Sequence, residues 1–156
     1  MMRRIVLLFA AAALAAFSQA KYDGPRPPKP DVPYLKHASD LVSTEIGQAR
    51  EEKQKNDTLY VVDGAASPAR TPMASPIFLM VSEKIVPDRL GLYKLDVKNG
   101  HREILFGQKK QPRPIRIEVS RVAGNLFRIE VDESLDPGEY SLSPTDSNTV
   151  FCFQVY

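Results

Sequence analysis

The chain has 156 residues, 43% of them hydrophobic and 26% charged, with a net charge of +2 from 21 Lys and Arg against 19 Asp and Glu. Arg3 and Arg4 precede every acidic residue, so the sequence beyond residue 20 balances at 19 against 19, without the cationic excess a nucleic-acid binder needs. One Cys, two His and no Trp exclude a disulfide scaffold and a multi-His metal cluster, and the length suits one domain with a proper core.

Met1 to Ala20 reads MMRRIVLLFAAAALAAFSQA: two arginines, an apolar run from Ile5 to Phe17, then Ser18-Gln19-Ala20. That order is the charged, apolar and small-x-small pattern of a secretory signal peptide. The competing reading is an uncleaved membrane anchor, but the run is short of the roughly 20 residues that span a bilayer. No Cys follows it to carry a lipid. The expectation is an exported chain starting at Lys21, without a transmembrane segment, in the periplasm or the medium. Its Ala-rich core suits a bacterial exporter.

Lys21 to Pro33 carries prolines at 25, 27, 28, 30 and 33. Proline lacks the donor N–H and fixes φ, so the expectation for 21–33 is an extended linker. Pro27-x-x-Pro30 and Pro30-x-x-Pro33 fit a PxxP ligand, but receptors for that motif are mostly intracellular. Residues 34–156 are expected to form a single domain.

Between Asp40 and Asp57 the charges of Glu51-Glu52-Lys53-Gln54-Lys55 favour helix, while Gly47 and the β-branched residues favour strand. The segment reads as an edge ribbon with a charged turn. Asn56-Asp57-Thr58 is a glycosylation sequon that matters only in a eukaryotic host. Leu59 to Val62 is a short strand, and Ala65 to Pro76 an extended loop crossing between sheets. Ile77 to Val81 is a continuous apolar run suited to a strand covered on both sides.

Leu92 to Phe106 forms the clearest unit, a hairpin about Asn99-Gly100, the preferred pair for a type I′ turn. Its register pairs Lys98 with His101, Val97 with Arg102, Leu95 with Ile104 and Tyr93 with Phe106. Tyr93, Leu95, Val97, Ile104 and Phe106 are expected on the buried face. Lys94, Asp96, Lys98, His101 and Glu103 take the other, with Asp96 opposite Glu103 and the lysines on the diagonals. Next, Lys109-Lys110-Gln111-Pro112-Arg113 forms a basic loop. Lys109, Lys110 and Arg113 could meet an acidic polymer or headgroups, or simply keep the loop solvated.

Ile115, Ile117 and Val119 alternate with polar residues, as do Phe127, Ile129 and Val131 after the Ala123-Gly124-Asn125 turn. Asp132, Glu133, Asp136 and Glu139 cluster without an EF-hand spacing, and are either a Ca²⁺ site or ordinary acidic groups at a solvated corner. In the last strand Phe151, Phe153 and Val155 point one way, Cys152 and Gln154 the other. Cys152, with no partner thiol and no basic neighbour, reads as a buried small hydrophobe rather than a reactive thiol. About eight or nine short strands separated by turn signals suggest an all-β fold, an antiparallel β-sandwich.

Leu135-Asp136-Pro137-Gly138-Glu139-Tyr140 has the form L-x-P-G-x-Y before a strand. It resembles the tyrosine corner of immunoglobulin-like and fibronectin-type sandwiches, in which the Tyr hydroxyl bonds back to the main chain. The resemblance implies an immunoglobulin-like sandwich with Tyr140, Pro137 and Gly138 as structural residues, but no activity. The PGEYSLSP…VFCFQVY ending also resembles that of short exported bacterial proteins, an uncharacterised group that carries no catalytic residue or ligand over.

Neither His37 nor His101 lies in an H-x-x-x-H spacing, and C-x-x-C, G-x-S-x-G and Gly-rich phosphate loops are missing. The expectation is therefore an exported binding module without catalytic residues or cofactor. Its partner would be an envelope protein or extracellular polymer, met through the Gln108 to Pro114 and Ala65 to Pro76 loops. The alternative is a structural subunit of an envelope assembly, in which 21–33 adds to a neighbour's sheet edge. A hydrolase ranks last, for want of a nucleophile–base pair.

Overall fold

The computed structural model describes residues 21–156; the signal expected at 1–20 lies outside the described residues. Among the described residues, apart from one 3-10 turn at Pro87–Arg89, every regular element is a strand. In chain order they are β1 (Tyr34–His37), β2 (Asp40–Ser43), β3 (Glu45–Gln48), β4 (Arg50–Gln54), β5 (Asp57–Asp63) and β6 (Arg70–Thr71). Then follow β7 (Ile77–Val81), β8 (Leu90–Lys98), β9 (His101–Phe106), β10 (Ile117–Ala123), β11 (Leu126–Val131), β12 (Gly138–Pro144) and β13 (Thr149–Val155). Among the described residues no helix is long and apolar enough to cross a membrane.

The strands form two sheets. One has five strands in the order β10-β11-β7-β1-β2; the other has eight, in the order β3-β13-β12-β8-β9-β5-β4, with β6 beside β13. All pairings are antiparallel except β6 with β13. The total exceeds the expected eight or nine because Tyr34 to Gln54 folds as four short pieces and β6 lies inside the crossing loop. The charged run is edge strand β4, exposed along its length, followed by a turn at Lys55 with φ of 56°. Ala65 to Pro76 does cross between the sheets, from β5 to β7.

Period-two alternation gives the eight-stranded sheet two buried faces. From β12 and β13, Tyr140, Leu142, Phe151, Phe153 and Val155 meet Leu35, Phe78, Met80 and Ile129 of the other sheet in the main core. The intervening Val150 and Cys152 point the opposite way, into a second cluster with Ala49, Val62 and Leu95. A strand facing solvent would show polar residues there. Here both faces of β13 are covered, and the short apolar stretch Val150 to Phe153 reflects that.

The second cluster exists because the sheet curls. β3 and β4 occupy its two opposite edges, yet Ala49 alone separates them in sequence. Both edges can be reached only if the sheet rolls until they converge, like a barrel. Ala49 bonds through its N–H to Asn148 O at 2.8 Å, fixing the join to the loop before β13.

The hairpin has its expected tip. Asn99 and Gly100 take φ of 50° and 79°, and Asp96–Glu103, Val97–Arg102 and Lys98–His101 pair as predicted. Farther from the tip the ladder stops: β9 runs along β5, while Ile115 bridges to Leu92 on the edge of β8 that β9 leaves. One expectation fails. Val97 is 51% exposed, whereas Arg102 opposite is fully buried. Strand β12 accompanies β8 only from Leu90 to Leu95, so no neighbouring strand covers Val97 on that side.

Part of the 21–33 segment packs against the strands. Pro27, Val32 and Pro33 are buried, Asp31 N–H donates to Val81 O at 2.7 Å, and Asp31 Oδ1 accepts the N–H groups of Glu83, Lys84 and Ile85. Burial of Val32 and these main-chain bonds dock the second half of the Pro-rich segment onto the domain.

The corner bond expected of Tyr140 is present: its hydroxyl, in a side chain 1% exposed, donates to Asp136 O at 2.7 Å. Tyr140→Phe should cost about 1 kcal/mol in urea unfolding, since the part-buried corner bond is lost while the ring stays. A loss below a few tenths would show that the corner bond contributes nothing.

Candidate functional site

Where β8 and β9 diverge, the rolled sheet encloses a cleft of about 790 Å³. Its apolar wall comes from Ala49, Val62, Leu95, Ile104 and Val150, with the rings of Tyr60, Tyr93 and Phe106 beside them. Phe106 stands edge-on to both tyrosines, each at 5.5 Å between centroids, at 87° to Tyr60 and 71° to Tyr93. Ser141 and Ser143 of β12 add hydroxyls 3.2 Å apart, and the Thr145 to Asn148 turn forms a polar rim with Glu51, Thr58 and Gln111. An apolar body with a few convergent polar groups is the usual character of a small-ligand site, and the volume falls in the usual range.

On the same inner face, one alternation step along each strand, lies a buried charge cluster. Arg102 lies two residues before Ile104 on β9, Glu139 two before Ser141 on β12, and Cys152 two after Val150 on β13. Arg102 grips Glu45 of β3 with two bonds, Nη1 to Oε2 at 2.6 Å and Nη2 to Oε1 at 3.0 Å. It also donates to Gly64 O at 2.8 Å and Asp63 O at 2.6 Å. One side chain thus ties β9 to β3 and to the end of β5, across the seam where the sheet closes.

Glu139 is the second carboxylate in this cluster. Its Oε2 accepts Ser67 N–H at 3.0 Å and stands 3.8 Å from Arg102 Nη1, while Oε1 is buried with no hydrogen-bond partner. Burial raises the Glu139 pKa above the ordinary carboxylate range, aided by the charge of Glu45, and the Ser67 and Arg102 contacts only partly offset it. Burial acts on Glu45 too, but the Arg102 bonds outweigh it and hold that carboxyl below the ordinary range. Burial pushes the Cys152 thiol up to about 12, so it is not a nucleophile near neutral pH.

These opposite shifts set a pH signature. Glu139 contributes stability in full below its unfolded pKa, and that contribution is lost as pH rises through its raised folded value. Glu45 does the reverse: its contribution holds above its unfolded pKa and fades as pH falls through the depressed folded value. Glu139→Gln mimics the protonated carboxyl. The stability of the native chain should therefore decline relative to Glu139→Gln as pH rises from about 4.5 toward neutrality, by urea unfolding. Parallel profiles would mean that Glu139 folds with an ordinary pKa.

The residues singled out in the sequence fall elsewhere. Lys109, Lys110 and Arg113 are exposed and none lines the cleft; from their loop only Gln111 does, its amide Nε2 held by Gly107 O at 2.8 Å. In the Ala65 to Pro76 loop Ser67, Ala69 and Thr71 are buried, so these positions serve packing rather than recognition.

The four acidic candidates for Ca²⁺ are not brought together. Asp132 and Glu133 face Arg116 at 3.6 and 3.8 Å, Asp136 supplies the corner carbonyl, and Glu139 turns inward. Among the described residues no group of three or more His, Cys, Asp and Glu is placed to hold a metal. His37 Nε2 is bonded to Thr71 Oγ1 at 3.0 Å, and His101 Nε2 to Glu103 Oε2 at 2.7 Å beside Lys98.

Sequence reasoning missed Arg102, Glu45 and the inward turn of Glu139. A signal for Arg102 was available, since the predicted register sets it opposite Val97 on the face otherwise reserved for apolar residues. Glu139, Ser141 and Ser143 alternate with buried Tyr140 and Leu142, a pattern indistinguishable from an ordinary solvated face. Comparison of the chain with protein-family models, curated proteins and solved structures finds no match.

Proposed function

We propose that the chain is an exported, non-catalytic binding module of immunoglobulin-like type that holds a small, apolar-bodied ligand in the cleft of its rolled sheet. The cleft carries this reading: its aromatic and aliphatic wall, hydroxyls and polar rim occur together at one place. Export rests on the charged, apolar and small-x-small order of Met1 to Ala20, and the immunoglobulin-like assignment on the Tyr140 corner. Absence of catalysis is supported by the separation of His37 and His101 from the cleft lining and by the burial of Cys152. The basic loop is a weaker candidate, because Lys109, Lys110 and Arg113 are solvated and none of them lines the cleft.

A fragment screen read by thermal shift tests this. A cleft ligand at a hundred times its Kd adds about 2.7 kcal/mol to stability. Stabilising fragments should lose most of their effect in Tyr93→Ala and keep it in Lys109→Ala/Lys110→Ala. Stabilisation lost in the lysine variant and kept in Tyr93→Ala would move the site to the basic loop.

A further inference from the structure

The cleft is one-sided in charge. Its two charged lining groups are the carboxylates of Glu51 and Asp146, and among the described residues no Lys, Arg or His lines it. Lys53 stands 3.6 Å from Glu51 as an exposed, loose pair, and Asp146 makes no ion pair among the described residues. Arg102, the nearest cation along β9, is already committed to Glu45 and two carbonyls, so it cannot offset these charges for a ligand.

The aromatic wall has the same preference. Tyr60, Tyr93 and Phe106 all line the cleft, and an aromatic face carries the negative lobe of the ring quadrupole, which attracts a cation. An anionic ligand would meet two carboxylates and no counter-charge. A neutral ligand would gain from burial against the apolar wall and from hydrogen bonds at the polar groups, but not from the carboxylate charges. A cation on an apolar body gains from burial, from the ring faces and from the rim carboxylates together.

We propose that the cleft takes a cationic amphiphile, an amine or quaternary ammonium head on an apolar body. This rests on the reading of the cleft as a ligand site. The Glu51 and Asp146 carboxylates would meet the head, and the rings with Ile104 and Leu95 would hold the body.

Three probes with one body and different heads test it: phenylbutylamine, phenylbutanol and phenylbutyrate, titrated calorimetrically at neutral pH and low salt. The amine should bind roughly tenfold tighter than the alcohol, with the carboxylate weakest, as expected from two solvated charge contacts and a cation–ring contact. In Glu51→Gln/Asp146→Asn the amine should lose most of that preference, keeping only the share from the ring faces, and the alcohol should be unchanged. Both side chains are exposed, so this variant keeps the fold. Alcohol or carboxylate binding as tightly as the amine would overturn the cationic assignment and leave the cleft a ligand site. An amine preference undiminished in the double variant would overturn it too. Binding by none of the three would overturn the cleft reading itself.

Discussion

Arg102→Met is expected to lower the free energy of unfolding by about 3–5 kcal/mol, among the largest single losses available in this chain. The guanidinium is fully buried and bridges Glu45, Gly64 and Asp63, with Glu139 nearby. Removing it strands two carboxylates of one cluster without a cation and leaves two main-chain carbonyls without donors. The cost lies more in what is left behind than in the strength of the bonds lost. The triple variant Arg102→Met/Glu45→Gln/Glu139→Gln should therefore be more stable than Arg102→Met alone, although the orphaned carbonyls keep it below the native chain. Equilibrium urea unfolding near neutral pH decides the matter. If the single variant lost less than about 1 kcal/mol, the clasp across the seam would not be structural.

Phe153→Ala should cost about 3–5 kcal/mol by the same measurement. Phe153 is fully buried where the two sheets meet, 5.1 Å from the Phe78 ring and stacked at 5.6 Å on Tyr140. The rings on either side belong to different sheets, so a cavity there cannot be closed by shifting one strand. Cys152→Ala is a useful contrast. Its neighbour in sequence points into the smaller second cluster and loses only a sulfur, so about 1 kcal/mol is expected. Equal losses at the two positions would contradict the assignment of the two faces of β13 to cores of different size.

What could be read in advance was local. Asn99-Gly100 specified its turn because only a pair tolerant of positive φ fits there, and Tyr140 specified its corner because a buried hydroxyl needs an acceptor. The alternation of Phe151, Phe153 and Val155 marked the main core for the same reason: register on one face is dictated by burial. The rolled sheet was not legible. It depends on Arg50 pairing with Val61 while Ile46, four residues earlier, pairs with Phe151. Nothing local distinguishes those partners from others of similar polarity. The cleft was hidden for a related reason, because an inner face carrying Ser141 and Ser143, with Glu139 one step beyond them, shows the same alternation as a solvent face. Arg102 was the exception, a charged residue at an apolar register position, and it marks the seam where the sheet closes.

The central claim is that a ligand enters the rolled sheet rather than meeting the basic loop. Backbone amide NMR during titration with phenylbutylamine tests this most directly. Shifts should concentrate at Tyr60, Tyr93, Ile104, Phe106, Gln111 and Ser141 to Ser147, and leave Lys109, Arg113 and the five-stranded sheet unmoved. Saturable shifts confined to Lys109, Lys110 and Arg113 or to β10 and β11, with the cleft residues unmoved, would contradict it.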